Sequence, residues 1–338
     1  MHNPKSYAKA NALQRRDAKF ALAMWKPLCW DVPGDVLDLG CGPGDVTVDL
    51  LRPSVPSLSL LFRMESDVLQ DELKAGEYAT RPKAGKAELR NESLLMEFHN
   101  ALPFLPHSER KIVGVDQARE MVAYANDRWG KEARQELNVD FLHIPALAGP
   151  PDEDLDDLEN LERPEPFPCY FAKAFSFFAL HWAPDIPSLL RTLKIVRRSL
   201  VGGGEAKLVL LAHCPVFSVY KDLSSTLQGW EKFIGPYHDS PDPEEEFRGH
   251  LLEAGFLDPQ VELINRHITY PNILFLSKAM EAVNPFLDLS EGPCSKEILD
   301  MCVDEIQKYT VKRSDGSLSG EYTLLIATAS APHHNGGR

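Results

Sequence analysis

Residues 36–44 read Val-Leu-Asp-Leu-Gly-Cys-Gly-Pro-Gly. An apolar run ends in an acid and passes directly into a G-x-G-x-G turn, and the next segment, Asp45 to Leu51, is compatible with a helix. A strand, a glycine turn and a helix start in that order bring backbone N–H groups close to a ligand. Glycine at positions 40 and 42 keeps the approach clear and permits positive φ. A dinucleotide fingerprint would read G-x-G-x-x-G, with a pyrophosphate on the helix N-terminus. Here the third glycine, Gly44, comes one residue early, and Asp38 at the strand end would repel a pyrophosphate. An acid in that place suits a ligand carrying an ammonium or a sulfonium. The plainer reading is a structural glycine turn in an α/β protein.

Composition narrows the alternatives. The chain has 338 residues, 43% of them hydrophobic, enough for one large α/β domain or two small ones with a real core. With 36 Lys+Arg against 50 Asp+Glu the net charge is −14, which argues against a nucleic-acid partner and against an anionic membrane surface. No apolar run reaches the ~18–20 residues of a membrane span, and the basic N-terminus lacks the apolar stretch of a signal peptide. Cys29, Cys41, Cys169, Cys214, Cys294 and Cys302 are scattered without a C-x-x-C pair. They read as free thiols of a reducing, cytoplasmic compartment.

Working outward from the turn, periodicity predicts a helix from Asn11 to Trp30 and strands at Asp35–Leu39, Lys111–Val115, Val139–Ile144, Tyr170–Phe178 and Ala206–Ala212. An amphipathic helix over Ile186–Leu200 is expected to stop at Gly202-Gly203-Gly204. A helix from Pro243 to Ala254 is expected to have Asp242 as cap, a capping box through Glu245 and a stop at Gly255. Later strands are expected at Val261–Tyr270 and Tyr322–Ala327, with helices between them at Ile273–Val283 and Ser295–Tyr309. Strands alternating with helices imply an α/β, doubly wound, mostly parallel sheet, whose ligands sit at the carboxyl ends of the strands. Asp38, Asp116, His143 and Ser176 all fall at such ends.

Two segments interrupt the alternation. Residues 57–106 form a charged insertion between the first helix and the second strand, so that Asp38 and Asp116 stand 116 − 38 = 78 positions apart. The usual separation of such a turn from its acidic partner is ~20. The insertion is either a surface excursion that leaves the sheet whole or extra translated sequence. Residues 149–168, rich in proline and acid, read as a solvated loop, and 331–338 as a frayed tail. The remainder, 1–330, is expected to be a single domain.

A family resemblance rests on blocks in a fixed order. These are Ala10-Asn11-Ala12-Leu13-Gln14-Arg15-Arg16-Asp17-Ala18, the glycine turn, Gly114-Val115-Asp116 with Glu120-Met121-Val122, and Phe175-Ser176-Phe177-Phe178-Ala179-Leu180-His181-Trp182. Pro215 to Tyr220, Pro236-Tyr237-His238-Asp239 and Ala282 to Leu287 follow. The glycine turn resembles motif I of class I S-adenosylmethionine (SAM)-dependent methyltransferases. The whole set resembles arthropod juvenile hormone acid O-methyltransferases, also described as farnesoic acid methyltransferases. The resemblance implies a Rossmann-like class I methyltransferase sheet with a helical substrate cap. It also implies SAM as cofactor and a terpenoid carboxylic acid, a small apolar molecule, as methyl acceptor.

The residues then take expected roles. Asp38, Gly40, Cys41, Gly42, Gly44, Asp116, Gln117, His143, Ile144 and Ser176 are expected around the cofactor. Asp116 admits two readings, a ribose-hydroxyl contact or a helix cap. His143 stands where many relatives carry an acid near the adenine. Gln14, His181 and Trp182 are expected around the substrate, Gln14 and Trp182 on the strength of the resemblance. Their amide NH₂ and indole N–H suit a carboxylate. Cap aromatics Phe217, Tyr220, Trp230, Phe233, Tyr237, Phe275 and Phe286 offer apolar surface for an isoprenoid chain, although most aromatics in such a region are core. No catalytic acid or base is expected, because a carboxylic acid with pKa about 4–5 is already ionised at neutral pH. The alternatives are a methyltransferase for another small or fatty acid and a SAM-binding protein without turnover.

Overall fold

The structure is a computed structural model that describes residues 4–56, 110–144, 169–289 and 294–333. The insertion at 57–106 and the acidic loop at 149–168 lie outside the described residues. Contacts divide the chain into a unit of residues 1–54 and 111–338 and a second of 55–110. Every element below belongs to the first.

Its strands are β1 Asp35–Leu39, β2 Ile112–Asp116, β3 Val139–His143, β4 Phe171–Phe177, β5 Leu200–Leu211, β6 Leu257–Tyr270, β7 Thr310–Lys312 and β8 Leu318–Ser330. They form one sheet in the order β3-β2-β1-β4-β5-β8-β6, with β7 on β8. β1 to β5 pair in parallel, and β8 runs antiparallel between β5 and β6. All seven residues of β4 are buried, as expected of a parallel strand covered on both faces. The strand order reverses beside β1, between β2 and β4, so the sheet opens a crevice at their carboxyl ends. Val36 pairs with Ile112 despite the 57–106 insertion.

The helix expected at 11–30 is the shorter α2 Ala12–Met24, and a further helix, α1 Pro4–Ala10, precedes it with a break at Asn11. Asn11 does not cap α2; its buried amide donates to Asp45 Oδ2 at 2.8 Å. Trp25 ends α2 and packs on Phe175 and Phe177, which removes the residues up to Trp30 from the helix. After the glycine turn the chain widens into a π turn at Thr47–Leu51 and then tightens into a 3₁₀ turn at Arg52–Ser54. β2 is flanked by α3 Arg119–Trp129 and α4 Lys131–Leu137.

The glycine run does not stop a helix. α5, Ile186–Ser199, ends before it, and the glycines lie inside β5. There the register against β4 jumps from Phe171↔Leu200 to Lys173↔Glu205. Gly203 has φ +77°, and a Cβ on Gly204 would stand 3.0 Å from the Ala172 carbonyl, so glycine is what lets the bulge lie flat on its neighbours. The expected tail also starts later than 331. Ala331 is buried, and it exchanges backbone hydrogen bonds with Gly203 and Gly204.

The cap begins with α6 Pro215–Asp222. In α7, Pro243–Glu253, the Asp242 carboxylate accepts from Glu245 N–H, but Glu245 turns to Arg248 and Asp242 N–H donates to Ser240, so the capping box is half made. α8 Ile273–Val283, α9 Phe286–Leu289 and α10 Cys294–Ile306 complete the cap. Its core joins Phe217, Tyr220, Leu276, Met280, Phe286 and Cys302.

Candidate active site

Asp38 lies near the end of β1 and is 2% exposed. The Thr47 hydroxyl donates to its Oδ2 at 2.6 Å. Burial pushes the Asp38 carboxyl up to about 7, against the Thr47 bond and with help from the nearby Asp116 charge. No cationic side chain among the described residues pairs with it.

The three glycines share positive φ, 75°, 54° and 79°, but serve different ends. A Cβ on Gly40 would sit 2.1 Å from the Ala179 Cβ, and one on Gly44 would sit 2.6 Å from the Phe141 ring. Only Gly42 faces space, with the Tyr7 ring edge 3.8 Å away. Gly40 therefore also packs under Ala179, besides lining the cleft.

Asp116 caps the entry to the next helix and also ties down the glycine turn. Its Oδ1 accepts from Ala118 N–H at 2.8 Å, at the entry to α3, and its Oδ2 accepts from Gly42 N–H at 2.9 Å. Burial raises its pKa and the two N–H groups oppose the rise. Each carboxylate oxygen keeps a further lone pair for a hydroxyl.

Asp116, Gln117, Gly40 and Gly42 line a cleft of about 250 Å³ together with Leu39, Met121 and Phe233. Asp38, Cys41, Asn11, Gln14 and Asp45 line a hollow of about 20 Å³ beside the same turn. The Gln14 Oε1 is buried and has no hydrogen-bond partner among the described residues. A hollow rich in carboxylates and bearing an unsatisfied carbonyl oxygen fits an ammonium group, so the residues present suit the amino-acid end of SAM.

Other expected cofactor residues stand elsewhere. Gly44 packs on Phe141 and Trp129. The Ser176 hydroxyl is buried and donates to the Leu39 carbonyl at 3.0 Å, tying β4 to β1. His143 is exposed, with Nε2 3.2 Å from the Gln117 carbonyl, and Ile144 packs on the core while its N–H meets the Asp116 carbonyl. Neither His143 nor Ile144 lines the cleft.

A second cavity of about 700 Å³ opens under the cap, lined mainly by apolar residues, among them Leu13, Phe217, Phe275, Met280 and Ile306. Gln14, His181 and Trp182 all line it. His181 is 2% exposed, and burial pulls its pKa down to about 3. Its Nδ1 accepts from Leu211 N–H at 3.4 Å, which leaves the proton on Nε2 and makes the ring a neutral donor. Of the cap aromatics, Phe217 and Phe275 line the cavity and Phe233 the cleft, while Tyr220 and Tyr237 are fully buried core. Trp230 and Phe286 pack in the cap core.

Tyr7, Phe178 and Trp182 line both the cavity and the cleft. Sequence reasoning did not find Tyr7, Asn11, Thr47 or Asp45. Tyr7 is the one aromatic in a short polar stretch, Pro-Lys-Ser-Tyr-Ala-Lys-Ala, and that is the only signal it gives.

No family profile matches the chain. It is 28% identical over 297 residues to the juvenile hormone acid O-methyltransferase of Bombyx mori, covering 85% of this chain and 80% of that one. It is 25% identical over 342 residues to the enzyme of the same name from Drosophila melanogaster, covering 97% and 92%. Among solved structures it resembles a protein named as a methyltransferase from Bacillus halodurans, with TM-score 0.49 and 15% identity over 94% of this chain and 99% of that one. Over most of its length the chain is similar in sequence to the juvenile hormone acid O-methyltransferases, and its mostly parallel sheet, closed by the antiparallel β8, is the class I methyltransferase fold.

Proposed function

We propose that the chain is a SAM-dependent carboxyl O-methyltransferase acting in the cytosol on an apolar acid of the farnesoic or juvenile hormone type. One observation carries the reading: the apolar cavity of about 700 Å³ and the glycine-turn cleft share Tyr7, Phe178 and Trp182 as walls. The volume is in the range of small-ligand sites. The cysteines among the described residues are free thiols, consistent with a reducing compartment.

Asp38, with Gln14 Oε1, would hold the ammonium of the cofactor, and Asp116 a ribose hydroxyl. Bound there, SAM would supply a sulfonium methyl to a carboxylate oxygen, the new carbon–oxygen bond replacing the sulfur–carbon bond, to give a methyl ester and S-adenosylhomocysteine. The acceptor arrives ionised, so the chain moves no proton. His181 Nε2–H and the Trp182 indole N–H would orient the carboxylate, and the apolar walls exclude water and strengthen the attraction between opposite charges. The lysines bordering the cavity, Lys9 and Lys278, are exposed and stand at its rim, which favours an acceptor with a single acid group over a polyacid.

Purified protein incubated with methyl-labelled SAM and farnesoic, juvenile hormone, palmitic and aconitic acids tests this reading. Label is expected in the terpenoid methyl ester. Label confined to methyl palmitate or methyl aconitate would move the acceptor class, and label in no ester would remove the enzyme reading.

A further inference from the structure

α1 packs on the cap helix α8 and also on α3 of the sheet layer, so it spans the two halves of the site. Tyr7 sits in its middle and lines the large cavity, the cleft and the small hollow alike. Its ring lies against Gly42, the one glycine of the turn whose missing Cβ leaves open space. Its hydroxyl has no hydrogen-bond partner among the described residues and stands within electrostatic reach of Asp116 and Asp45.

The surroundings are short of donors. Asp38, Asp45 and Asp116 face this region with carboxylates, which suits a ligand's ammonium and opposes a ligand's own carboxylate. Most nearby donors are engaged: Asn11 and Arg128 bind Asp45, Arg15 binds Asp49 and the Asp45 carbonyl, and Gly42 N–H binds Asp116, while the Gln14 amide lines the small hollow but not the cleft. An amino-acid ligand carries both charges, so a donor for its carboxylate has to come from elsewhere. Tyr7 is the donor that lines all three spaces, and its half-buried place beside two acids keeps its proton on.

Building on the proposed SAM-dependent reading, we propose that Tyr7 is a positioning residue that donates its hydroxyl to the α-carboxylate of the cofactor, while its ring forms the partition between cofactor and acceptor. The ring works by shape and the hydroxyl by hydrogen bonding, so two substitutions separate them. Tyr7→Phe removes the bond alone, and Tyr7→Ala removes the partition as well.

The test is calorimetric binding of S-adenosylhomocysteine and of its analogue lacking the α-carboxylate to the full chain. Tyr7→Phe is expected to weaken S-adenosylhomocysteine binding about tenfold or more, the loss typical of a bond to a charged group. The same variant should bind the decarboxylated analogue within about twofold of wild type, a split that a merely structural role would not produce. Tyr7→Ala is expected to weaken both ligands. Unchanged S-adenosylhomocysteine binding in Tyr7→Phe, or equal losses for the two ligands, would overturn the assignment. A wild type that binds S-adenosylhomocysteine but methylates no acid would overturn the proposed acceptor chemistry and leave the Tyr7 ratio to decide the hydroxyl. A wild type that binds neither ligand would overturn both.

Discussion

The Thr47 hydroxyl reaches back across the glycine turn to donate to Asp38 Oδ2 at 2.6 Å, and this bond opposes the rise in pKa that burial imposes on the carboxylate. With a pKa of about 7 in the free protein, Asp38 is protonated at lower pH and cannot receive an ammonium. Affinity for S-adenosylhomocysteine should therefore fall as pH drops below about 7, and binding there should release a proton. Calorimetry at pH values either side of that point, in buffers of different ionisation enthalpy, reads both effects. Asp38→Asn should weaken binding and flatten the profile. Thr47→Val should move the profile to higher pH, because it removes the interaction that holds the pKa down.

Gly40 and Gly42 should respond to substitution differently. A valine at Gly40 meets Ala179 and must adopt positive φ, so Gly40→Val should lower the melting temperature by an amount equivalent to ~1–3 kcal/mol or more. Gly42→Ala meets only the Tyr7 ring edge at 3.8 Å, and should fold with a smaller loss while weakening cofactor binding. Thermal melts paired with S-adenosylhomocysteine titrations separate the two. Equal melting temperatures would remove the packing role assigned to Gly40.

His181 predicts an absence in the pH profile. With its pKa at about 3, it stays neutral through the working range and acts as a donor. At saturating cofactor, kcat should show no limb near the ordinary histidine value of about 6.5. His181→Phe should raise the acceptor KM. It should also cost ~1 kcal/mol of stability, because the part-buried Leu211 N–H loses its partner. A limb at 6.5 that vanishes in the variant would make His181 a base after all.

Asp17 is fully buried and joins α2 to β6 and β8. It accepts from Arg266 Nη2 at 2.7 Å, from Arg16 Nε at 2.9 Å and from the Tyr322 hydroxyl. Burial works to raise its pKa, and the bonds from Arg16, Tyr322 and Arg266 outweigh it, so the folded value lies below the ordinary one. A depressed carboxylate stabilises the fold above its unfolded pKa of about 3.9 and loses that contribution as pH falls through the folded value. Asp17→Ala should therefore destabilise the protein by ~3–5 kcal/mol at neutral pH, and the gap from wild type should narrow below about pH 4. Urea unfolding at the two pH values checks the sign.

Local signals located much of this fold. β1 and α8 have the bounds their periodicity implied, and the Asp242 cap with the Gly255 stop frames α7 as expected. What escaped is decided by distant partners. Gly202 to Gly204 carry a helix-stop signal, yet pairing with β4 and β8 takes them into a bulged strand. β8 runs longer than its apolar stretch because β5 and β6 both pair with it. In the site, Asp38, Gly42 and Asp116 were legible because turn chemistry fixes them. Tyr7 was not, because only the packing of α1 on α3 and α8 brings it over the turn.

The most direct test of the account is kcat/KM for farnesoic acid against aconitic acid at saturating SAM. The apolar cavity, with its lysines at the rim, predicts a preference for farnesoic acid of at least about a hundredfold, with the methyl recovered as the ester. Comparable values for the two acids, or a preference for aconitic acid, would contradict it.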